Sequence, residues 1–253
     1  MTGSADGIGR RTAADLIRAG HRVVVHGRSD RRADETLSAL PDAAGAVVGD
    51  LTSLDRTRAL AEAANRHGAF DVVIHNAGLG GHPERVVTGD GLERIFQVNV
   101  VAPYLLTALM HPPARLVYLT SGLEERGVAD LSDVHWERRA WNGMQAYSDS
   151  KLYDVVLAFA LARRWPGALS NAVDPGWIKT KLGGPNATDE LPEGAETQVW
   201  LATSDDPAAR VTGRYFKRRR DLRANPAAYD ETVQEGLLAA CAAITGAHLP
   251  SGR

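Results

Sequence analysis

Short apolar runs alternate along this chain with stretches that have the apolar spacing of helices. Runs rich in valine, leucine and isoleucine are typical of parallel strands buried on both faces. Their alternation with helices predicts right-handed βαβ units, and therefore an α/β doubly wound (Rossmann) fold with a mostly parallel sheet. The predicted strands lie at 21–26, 45–50, 70–75, 114–120, 169–174 and 212–216. The predicted helices lie at 8–20, 30–40, 53–67, 90–110 and 144–165.

Composition and charge bear on the number of domains, the class of partner and the compartment of the protein. No linker, repeat or low-complexity segment divides the 253 residues, so we expect one domain spanning 1–253. A net charge of −2 gives no reason to expect nucleic acid or an acidic membrane as partner. The single cysteine, Cys241, excludes an internal disulfide and fits a reducing compartment. No apolar run approaches the ~20 residues of a membrane span, and we predict a cytoplasmic protein.

A glycine-rich turn opens the chain, in the stretch MTGSADGIGR. Gly3, Gly7 and Gly9 let backbone N–H groups approach a pyrophosphate, and the helix N-terminus that follows favours its negative charge. The spacing is Gly-x3-Gly-x-Gly rather than the commoner Gly-x-Gly-x2-Gly, and a plain tight turn is the alternative. We expect a nucleotide site that also includes Ser4, Asp6 and Ile8.

The strand that should precede this turn is absent from the sequence. It would lie between the predicted strands 21–26 and 70–75 as the central strand of the sheet. Its absence would leave two buried strand edges unpaired, at about 1–3 kcal/mol per unpaired backbone group. We therefore expect the natural chain to be longer, with Met1 as the last apolar residue of that strand.

The end of the predicted strand 21–26 indicates which dinucleotide binds. A carboxylate there would bind the free ribose hydroxyls of NAD, but the sequence places Arg28 at this point. A guanidinium can bond a 2′-phosphate in bidentate fashion, so we predict NADP. Ser29, Arg31 or Arg32 could assist, although a solvated helix start explains at least one of the two arginines. Asp30 fits the beginning of the helix.

Tyr147 and Lys151 stand four residues apart on a predicted helix and share one face of it. A tyrosine has an ordinary pKa near 10, and a neighbouring ammonium lowers the pKa of a phenol by stabilising the phenolate. The pair is therefore suited to general acid–base work at a ketone or alcohol oxygen.

Seven short motifs follow one another along the chain: TGSADGIG, GDL with Asp50, HNAG at 75–78, VNV with Asn99, TS with Ser121, YSDSK, and DPGWIKT at 174–180. Their order and intervals resemble the short-chain dehydrogenase/reductase family over nearly the whole chain. The long segment between Ser121 and Tyr147 resembles the retinol-dehydrogenase-like branch of that family and bacterial relatives near anthracycline ketoreductases.

The resemblance implies a role for each matching position. Tyr147 would pass a proton to or from substrate, Lys151 would hold the nicotinamide ribose, Ser121 would bond the reacting oxygen, and Asn99 would hold a water of the proton relay. Asp50 would contact the adenine, and Asn76-Ala77-Gly78 would pack beside the adenosine ribose. The remaining implied cofactor contacts are Leu51, Pro175, Gly176, Trp177, Ile178 and Thr180.

Some positions have a rival or a simpler explanation. Thr120 competes with Ser121 as the substrate hydroxyl, and we favour Ser121 because Thr120 ends the strand and can point away. Asn99 could merely satisfy backbone groups within an apolar helix. The eight histidines show no metal-ligand spacing, and we predict no metal.

Two segments depart from the family pattern and bear on the substrate. The insert (122–144) separates Ser121 from Tyr147, and the lid loop (176–195) is rich in glycine, proline and polar residues. Trp136, Trp141, Met144 and Trp177 lie in these segments. They favour a small-to-bulky apolar carbonyl or alcohol substrate, although core packing explains at least one of them.

The function that we predict is an NADP-dependent carbonyl reductase or alcohol dehydrogenase acting on a small molecule. The alternative is a regulatory protein that senses NADP without catalysis, but such proteins usually lose the tyrosine or lysine. A sugar-nucleotide epimerase is disfavoured by the short tail after residue 216. A homodimer or homotetramer paired through the Tyr147 helix is implied by the resemblance, and the basic run 217–223 fits a solvated surface or subunit contact.

Overall fold

The computed structural model describes residues 1–250, which form a Rossmann-like α/β fold. The strands are β1 Val24–Gly27, β2 Gly45–Val48, β3 Val72–His75, β4 Arg115–Leu119, β5 Leu169–Asp174, β6 Arg214–Lys217 and β7 Arg220–Leu222. The helices are α1 Gly7–Arg18, α2 Asp30–Ala39, α3 Leu54–Asn65, α4 Arg94–Phe96, α5 Ala102–Leu109, α6 Gly143–Arg164, α7 Leu191–Thr203 and α8 Glu231–Thr245. A π-helical turn, Gln97–Val101, joins α4 to α5.

The strands pair into two sheets that lie on either side of the N-terminus. β1 and β2 form a parallel pair, while β3, β4, β5 and β6 run parallel in that order and β7 closes the second sheet antiparallel. Met1 and Thr2 lie between the sheets: the Met1 amino group donates to Val24 O at 3.1 Å and Thr2 N donates to Ile74 O at 3.0 Å. This is the position that the sequence predicts for the first strand.

The predicted fold class and mostly parallel sheet are confirmed, and each of the six predicted strands overlaps an observed one. Three of these strands and helices were not predicted: β7, α7 and α8. The predicted lid loop, 176–195, ends too late in the sequence. Helix α7 already begins at Leu191, where Glu190 and Glu193 form a capping box. None of the helices within residues 1–250 is long and apolar enough to cross a bilayer.

Helix α6 is covered on all sides, because every residue from Ser148 to Leu161 is buried. The insert packs on it through the 3₁₀ turn Gly122–Arg126, and α8 packs against it from the C-terminal part of the chain. An apolar helix without a free face is a core helix. Pairing of subunits through this helix would therefore require displacement of these neighbours, and the assembly stays a prediction.

Leu237 on α8 tests how far the fold depends on this packing, since its side chain is 0 % exposed in the core around α6. We expect Leu237→Ala to reduce the free energy of unfolding by about 2–5 kcal/mol, because truncation leaves a cavity. Leu222→Ala, at a side chain 40 % exposed, is the control and is expected to change it by less than about 0.5 kcal/mol. Urea denaturation measures both free energies of unfolding. Equal losses in the two variants would contradict the placement of Leu237 in the core around α6.

Candidate active site

The glycine turn adopts a backbone that other residues rarely allow. Gly3 and Gly7 have φ of +62° and +50°, in the left-handed region. A Cβ on Gly9 would lie 2.1 Å from the carbonyl oxygen of Gly3, so this helix turn also admits only glycine. The turn leads directly into α1, whose N-terminus favours an anion.

The loop after β3 holds the turn from one side. Asn76 Nδ2 donates to Thr2 O and to Gly3 O, each at 3.0 Å. The hydroxyl of Thr2 accepts from Asn76 N at 3.0 Å and from Ala77 N at 3.1 Å. Asn76 and Ala77 therefore act on the turn as supports, beside the space that the resemblance assigns to the ribose.

His26 holds the turn from the other side, and the sequence reading did not single it out. Gly3 N donates to its Nδ1 at 3.0 Å, while its Nε2 bonds Gly49 O at 2.8 Å. His26 N donates to the hydroxyl of Ser4 at 2.7 Å, and the Ser4 side chain is fully buried. A histidine that ends an otherwise apolar strand, VVVH, is the signal that could have identified it.

The edge beyond β1 carries three arginines with different contacts. Arg28 is exposed directly after β1. Arg31 extends away to Glu35 at 2.5 Å, which fits a solvated helix start. Arg32 instead bends over the glycine turn, where its guanidinium donates to Ala5 O at 3.1 Å and also pairs with Glu35. Arg32 thus contacts the turn directly, and Arg28 lies exposed between β1 and α2, the region where a 2′-phosphate is expected.

The loop after β2 completes this half of the site. Asp50 is partly buried and its Oδ1 accepts from the N and the hydroxyl of Thr52, at 3.0 and 2.8 Å. Leu51 is buried beside it. A glycine-lined helix N-terminus, nearby guanidiniums and an oriented carboxylate are groups that bind the phosphates and the adenosine of a dinucleotide, so the residues present fit an NAD(P) cofactor.

The catalytic half of the site lies on α6. Lys151 Nζ lies 5.9 Å from the centroid of the Tyr147 ring, and it donates to Leu119 O at 2.9 Å and to Asp154 Oδ2 at 2.7 Å. The Lys151 and Asp154 side chains are only 6 % and 4 % exposed. Asp154 was not predicted, and it stands three residues after Lys151 on the same face of the helix.

Burial and pairing act in opposite directions on this buried ion pair. Burial disfavours the ammonium of Lys151, but the Asp154 carboxylate and the Tyr147 phenol raise its pKa above the ordinary value. Burial raises the pKa of Asp154 to about 6, and the Lys151 ammonium opposes that rise. Pairing with Asp154 therefore keeps the Lys151 side chain protonated beside the Tyr147 ring.

Asn99 lies within the π-helical turn, a departure from α-helix that is frequent at functional sites. Its Oδ1 accepts from Leu79 N at 2.8 Å, and its Nδ2 donates to Leu79 O at 3.0 Å and to the hydroxyl of Ser150 at 2.9 Å. A Cβ on Gly78 would meet Lys151 Nζ at 3.4 Å and Asn99 Oδ1 at 3.5 Å. Asn99 and Gly78 therefore adjoin the lysine.

Two adjacent hydroxyls compete at the end of β4. The hydroxyl of Thr120 donates to Lys151 O at 2.6 Å, and its side chain is buried against α6. Ser121 is only partly buried and its Oγ accepts from Leu123 N at 3.3 Å, which leaves its own proton free to donate. These contacts leave Ser121 as the candidate for the substrate oxygen.

The segment after β5 bends over the glycine turn. The methyl carbon of Thr180 would lie 3.2 Å from a Cβ on Gly7, and Lys181 Nζ pairs with Asp6 Oδ2 at 2.8 Å. Pro175 and Gly176 are partly buried at the start of this segment. Ile178 turns inward and is buried against α7, so its side chain supports the segment from inside.

Large apolar side chains are exposed where three segments approach one another. Trp177 is 52 %, Met144 58 % and Leu182 59 % exposed. Leu182 lies over Gly80, and Gly81 lies against the backbone of Met144. We call Met144, Trp177 and Leu182 the apolar rim.

The tryptophans of the insert have a structural role. Trp136 is buried, with its ring 5.6 Å from that of Trp141 and the Arg139 guanidinium 3.8 Å from its centroid. Trp141 is partly buried and its Nε1 donates to His82 O at 3.1 Å. Core packing therefore accounts for Trp136.

The chain is similar in sequence to known proteins along most of its length. The sequence profile of the family described as short chain dehydrogenase matches residues 1–191. Short-chain dehydrogenase chyC of Penicillium rubens is 42 % identical over 255 residues, which cover 99 % of this chain and 98 % of that protein. The daunorubicin C-13 ketoreductase DnrU of a Streptomyces species is 32 % identical, covering 97 % and 91 %. Mouse retinol dehydrogenase 14 is 33 % identical, covering 94 % and 82 %.

Solved structures resemble this one over most of its length. A protein from Mycobacterium paratuberculosis superposes with a TM-score of 0.86 at 26 % identity, covering 98 % of this chain and 93 % of that one. A blue fluorescent protein from a metagenomic library, solved in complex with NADPH, has a TM-score of 0.68 at 25 % identity, covering 85 % and 93 %.

The buried ion pair on α6 can be tested by comparing the removal of one partner with the replacement of both. We expect Asp154→Ala to lower the free energy of unfolding by about 3–5 kcal/mol, because the Lys151 ammonium stays buried without its partner. Replacing both residues, by Lys151→Met with Asp154→Leu, is expected to recover part of that loss. Urea denaturation at neutral pH measures both, and a double variant that loses more than Asp154→Ala alone would contradict the pairing.

Proposed function

Because the chain belongs to the short-chain dehydrogenase family, we propose that it uses NADPH to reduce an apolar ketone or aldehyde, and NADP⁺ to oxidise the corresponding alcohol. Membership makes it an NAD(P)-dependent oxidoreductase of CH–OH and C=O groups. The NADP preference, the proton donor and the substrate class are the proposal. The observation that carries it is Tyr147 beside a buried, charge-paired Lys151.

Tyr147 is the proposed proton donor. A bound nicotinamide supplies the hydride to the carbonyl carbon in reduction and accepts it in oxidation. As the carbonyl carbon gains the hydride, its oxygen takes the proton of the Tyr147 hydroxyl, and the resulting phenolate regains a proton from solvent. The ammonium of Lys151 stabilises the phenolate by its charge, and it keeps that charge because Asp154 lies 2.7 Å away.

Ser121 is the proposed partner of the reacting oxygen. Its hydroxyl proton has no acceptor among the described residues, whereas that of Thr120 is directed to Lys151 O. A positioned hydroxyl donor stabilises the charge that develops on the oxygen as hydride arrives. Asn99 has the supporting role of holding the loop after β3 against α6, through Leu79 and Ser150.

The preference for NADP rests on the arginines beyond β1. Arg28 is exposed and Arg32 leans on the glycine turn, so both guanidiniums can reach a 2′-phosphate. The metagenomic blue fluorescent protein, which shares this fold at 25 % identity, was solved with NADPH. No acidic residue precedes Arg28 at the end of β1, where a carboxylate would select NAD.

The apolar rim supports a substrate with a sizeable apolar body. Three large side chains that are more than half exposed form a surface that an apolar ligand would cover favourably. The names of two relatives refer to daunorubicin and to retinol as substrates. We propose a bulky apolar ketone or alcohol for this chain as well. The homo-oligomeric state and the cytoplasmic location stay predictions.

Turnover of ketones with NADPH tests the proposed chemistry. A panel from small aliphatic to bulky polycyclic ketones is expected to be reduced, with the highest kcat/KM for bulky members. Tyr147→Phe is expected to lower kcat by about 10²–10⁴-fold while the fold is retained, because the proton donor is lost. Tyr153→Phe removes a buried hydroxyl from the same helix and is the control. A Tyr147→Phe variant as active as the control would refute the role, and binding of NADPH without turnover of any ketone would favour the non-catalytic alternative.

Arg28→Ala tests the cofactor preference. We expect kcat/KM for NADPH to fall about 10–100-fold and that for NADH to change little, because a charge-assisted bond to a phosphate contributes about 1.5–3 kcal/mol. Arg31→Ala, which removes a guanidinium that pairs with Glu35, is the matched control. Equal effects of Arg28→Ala on both cofactors would show that the 2′-phosphate is not bound there.

A further inference from the structure

We propose that His26 is a positioning residue for the adenosine half of the cofactor, and that it acts as a neutral imidazole joining the glycine turn to the loop after β2. The inference rests on the proposed function only in that the glycine turn binds a dinucleotide. His26 lies under the turn, and its effect on binding is transmitted through Gly3 and Gly49.

The partners of the ring determine which nitrogen carries the proton. Gly3 N can only donate, so Nδ1 must be the acceptor of the 3.0 Å bond. Gly49 O can only accept, so Nε2 must carry the proton of the 2.8 Å bond. A neutral ring protonated at Nε2 satisfies both, and a doubly protonated ring would oppose one N–H to another at Gly3.

These two bonds connect the parts of the chain that flank the adenosine. Gly3 begins the turn at the N-terminus of α1, and Gly49 immediately precedes Asp50. On its other side Gly3 is held by Asn76, and a Cβ on Gly3 would lie 2.8 Å from Ala77 Cα. His26 and Asn76 therefore hold the turn from opposite sides, and the loss of either lets it move away from the phosphate.

The surroundings keep the ring neutral. His26 is buried, and burial lowers its pKa to about 4. The charged groups that act on it are few: the protonated amino group of Met1, whose own pKa burial lowers to about 6, lowers the pKa of His26 further, while the Gly49 bond and Asp50 oppose the decrease. Between pH 5.5 and 8 the imidazole thus stays an acceptor toward Gly3, so its contribution to binding does not vary with pH in this range.

Two substitutions separate the two bonds. In His26→Asn an amide oxygen replaces Nδ1 and can still accept from Gly3 N, but nothing reaches Gly49. In His26→Gln the side-chain amide replaces Nε2 and can reach Gly49 O, but nothing accepts from Gly3. His26→Ala loses both bonds, and His111→Ala is the control because His111 is exposed and bonds only through its backbone.

Equilibrium binding of NADP⁺ and of NAD⁺ is the readout, measured by calorimetry on the full chain without substrate. We expect His26→Ala to raise Kd about 10–100-fold, His26→Gln to raise it nearly as much, and His26→Asn to stay within about 3-fold of the unmodified protein. Both dinucleotides are expected to lose affinity by the same factor, because His26 acts at the turn and Arg28 at the 2′-phosphate. In turnover, KM for the cofactor rises while kcat at saturation is retained.

The outcomes distinguish this inference from the proposed function. If the unmodified chain binds neither dinucleotide, the proposed cofactor is wrong. If the unmodified chain binds a dinucleotide and His26→Ala binds it with the same Kd, the positioning role is wrong. The role is also wrong if His26→Asn has as high a Kd as His26→Ala while both variants remain folded by circular dichroism. The ratio of Kd between the unmodified protein and His26→Asn is expected to be constant from pH 5.5 to 8. A change in this ratio near pH 6.5 would show that the imidazole gains a proton there, and it would refute the role of His26 as a neutral acceptor.

Discussion

The hydrogen bonds of the first four residues join the two halves of the sheet, and the rest of the site depends on them. β1 and β2 contact β3 through a short segment in which Met1 bonds Val24 and Thr2 bonds Ile74. Where a parallel sheet is split, the facing edges of β1 and β3 carry backbone N–H and C=O groups without strand partners, and this segment supplies partners for some of them. Asn76 and His26 add side-chain bonds to the same residues, so the junction is braced from both strands.

This junction coincides with the place where a doubly wound sheet binds its ligand. The carboxyl ends of β1 and β3 diverge here, and the crevice between them receives the N-terminus of α1. The groups that stabilise the junction are therefore the ones that shape the nucleotide site. The stability of the junction and the proposed cofactor binding therefore share Gly3, His26 and Asn76.

The chemistry depends on a second constraint, the burial of charge on α6. An ammonium that is 6 % exposed needs compensation, and Asp154 together with Leu119 O supplies it. Because the insert and α8 cover α6, water has little access to the pair. The same neighbours thus set the electrostatics of the pair by covering α6 from Ser148 to Leu161.

The sequence by itself determined the fold class, the order of the strands and the positions of Tyr147, Lys151 and the glycine turn. These follow from local patterns: apolar runs, helical spacing and a turn that only glycine allows. The tertiary structure decided which of Thr120 and Ser121 is free, that Arg32 bends to the turn while Arg31 does not, and that Trp136 is core. It also revealed His26, whose ring bonds Gly3 across 23 residues of chain, and it showed that Asp154, three residues after Lys151, is buried with the lysine against Leu119 of β4. Such roles depend on contacts between distant segments, and no periodicity or spacing records where a side chain points once the strands have packed.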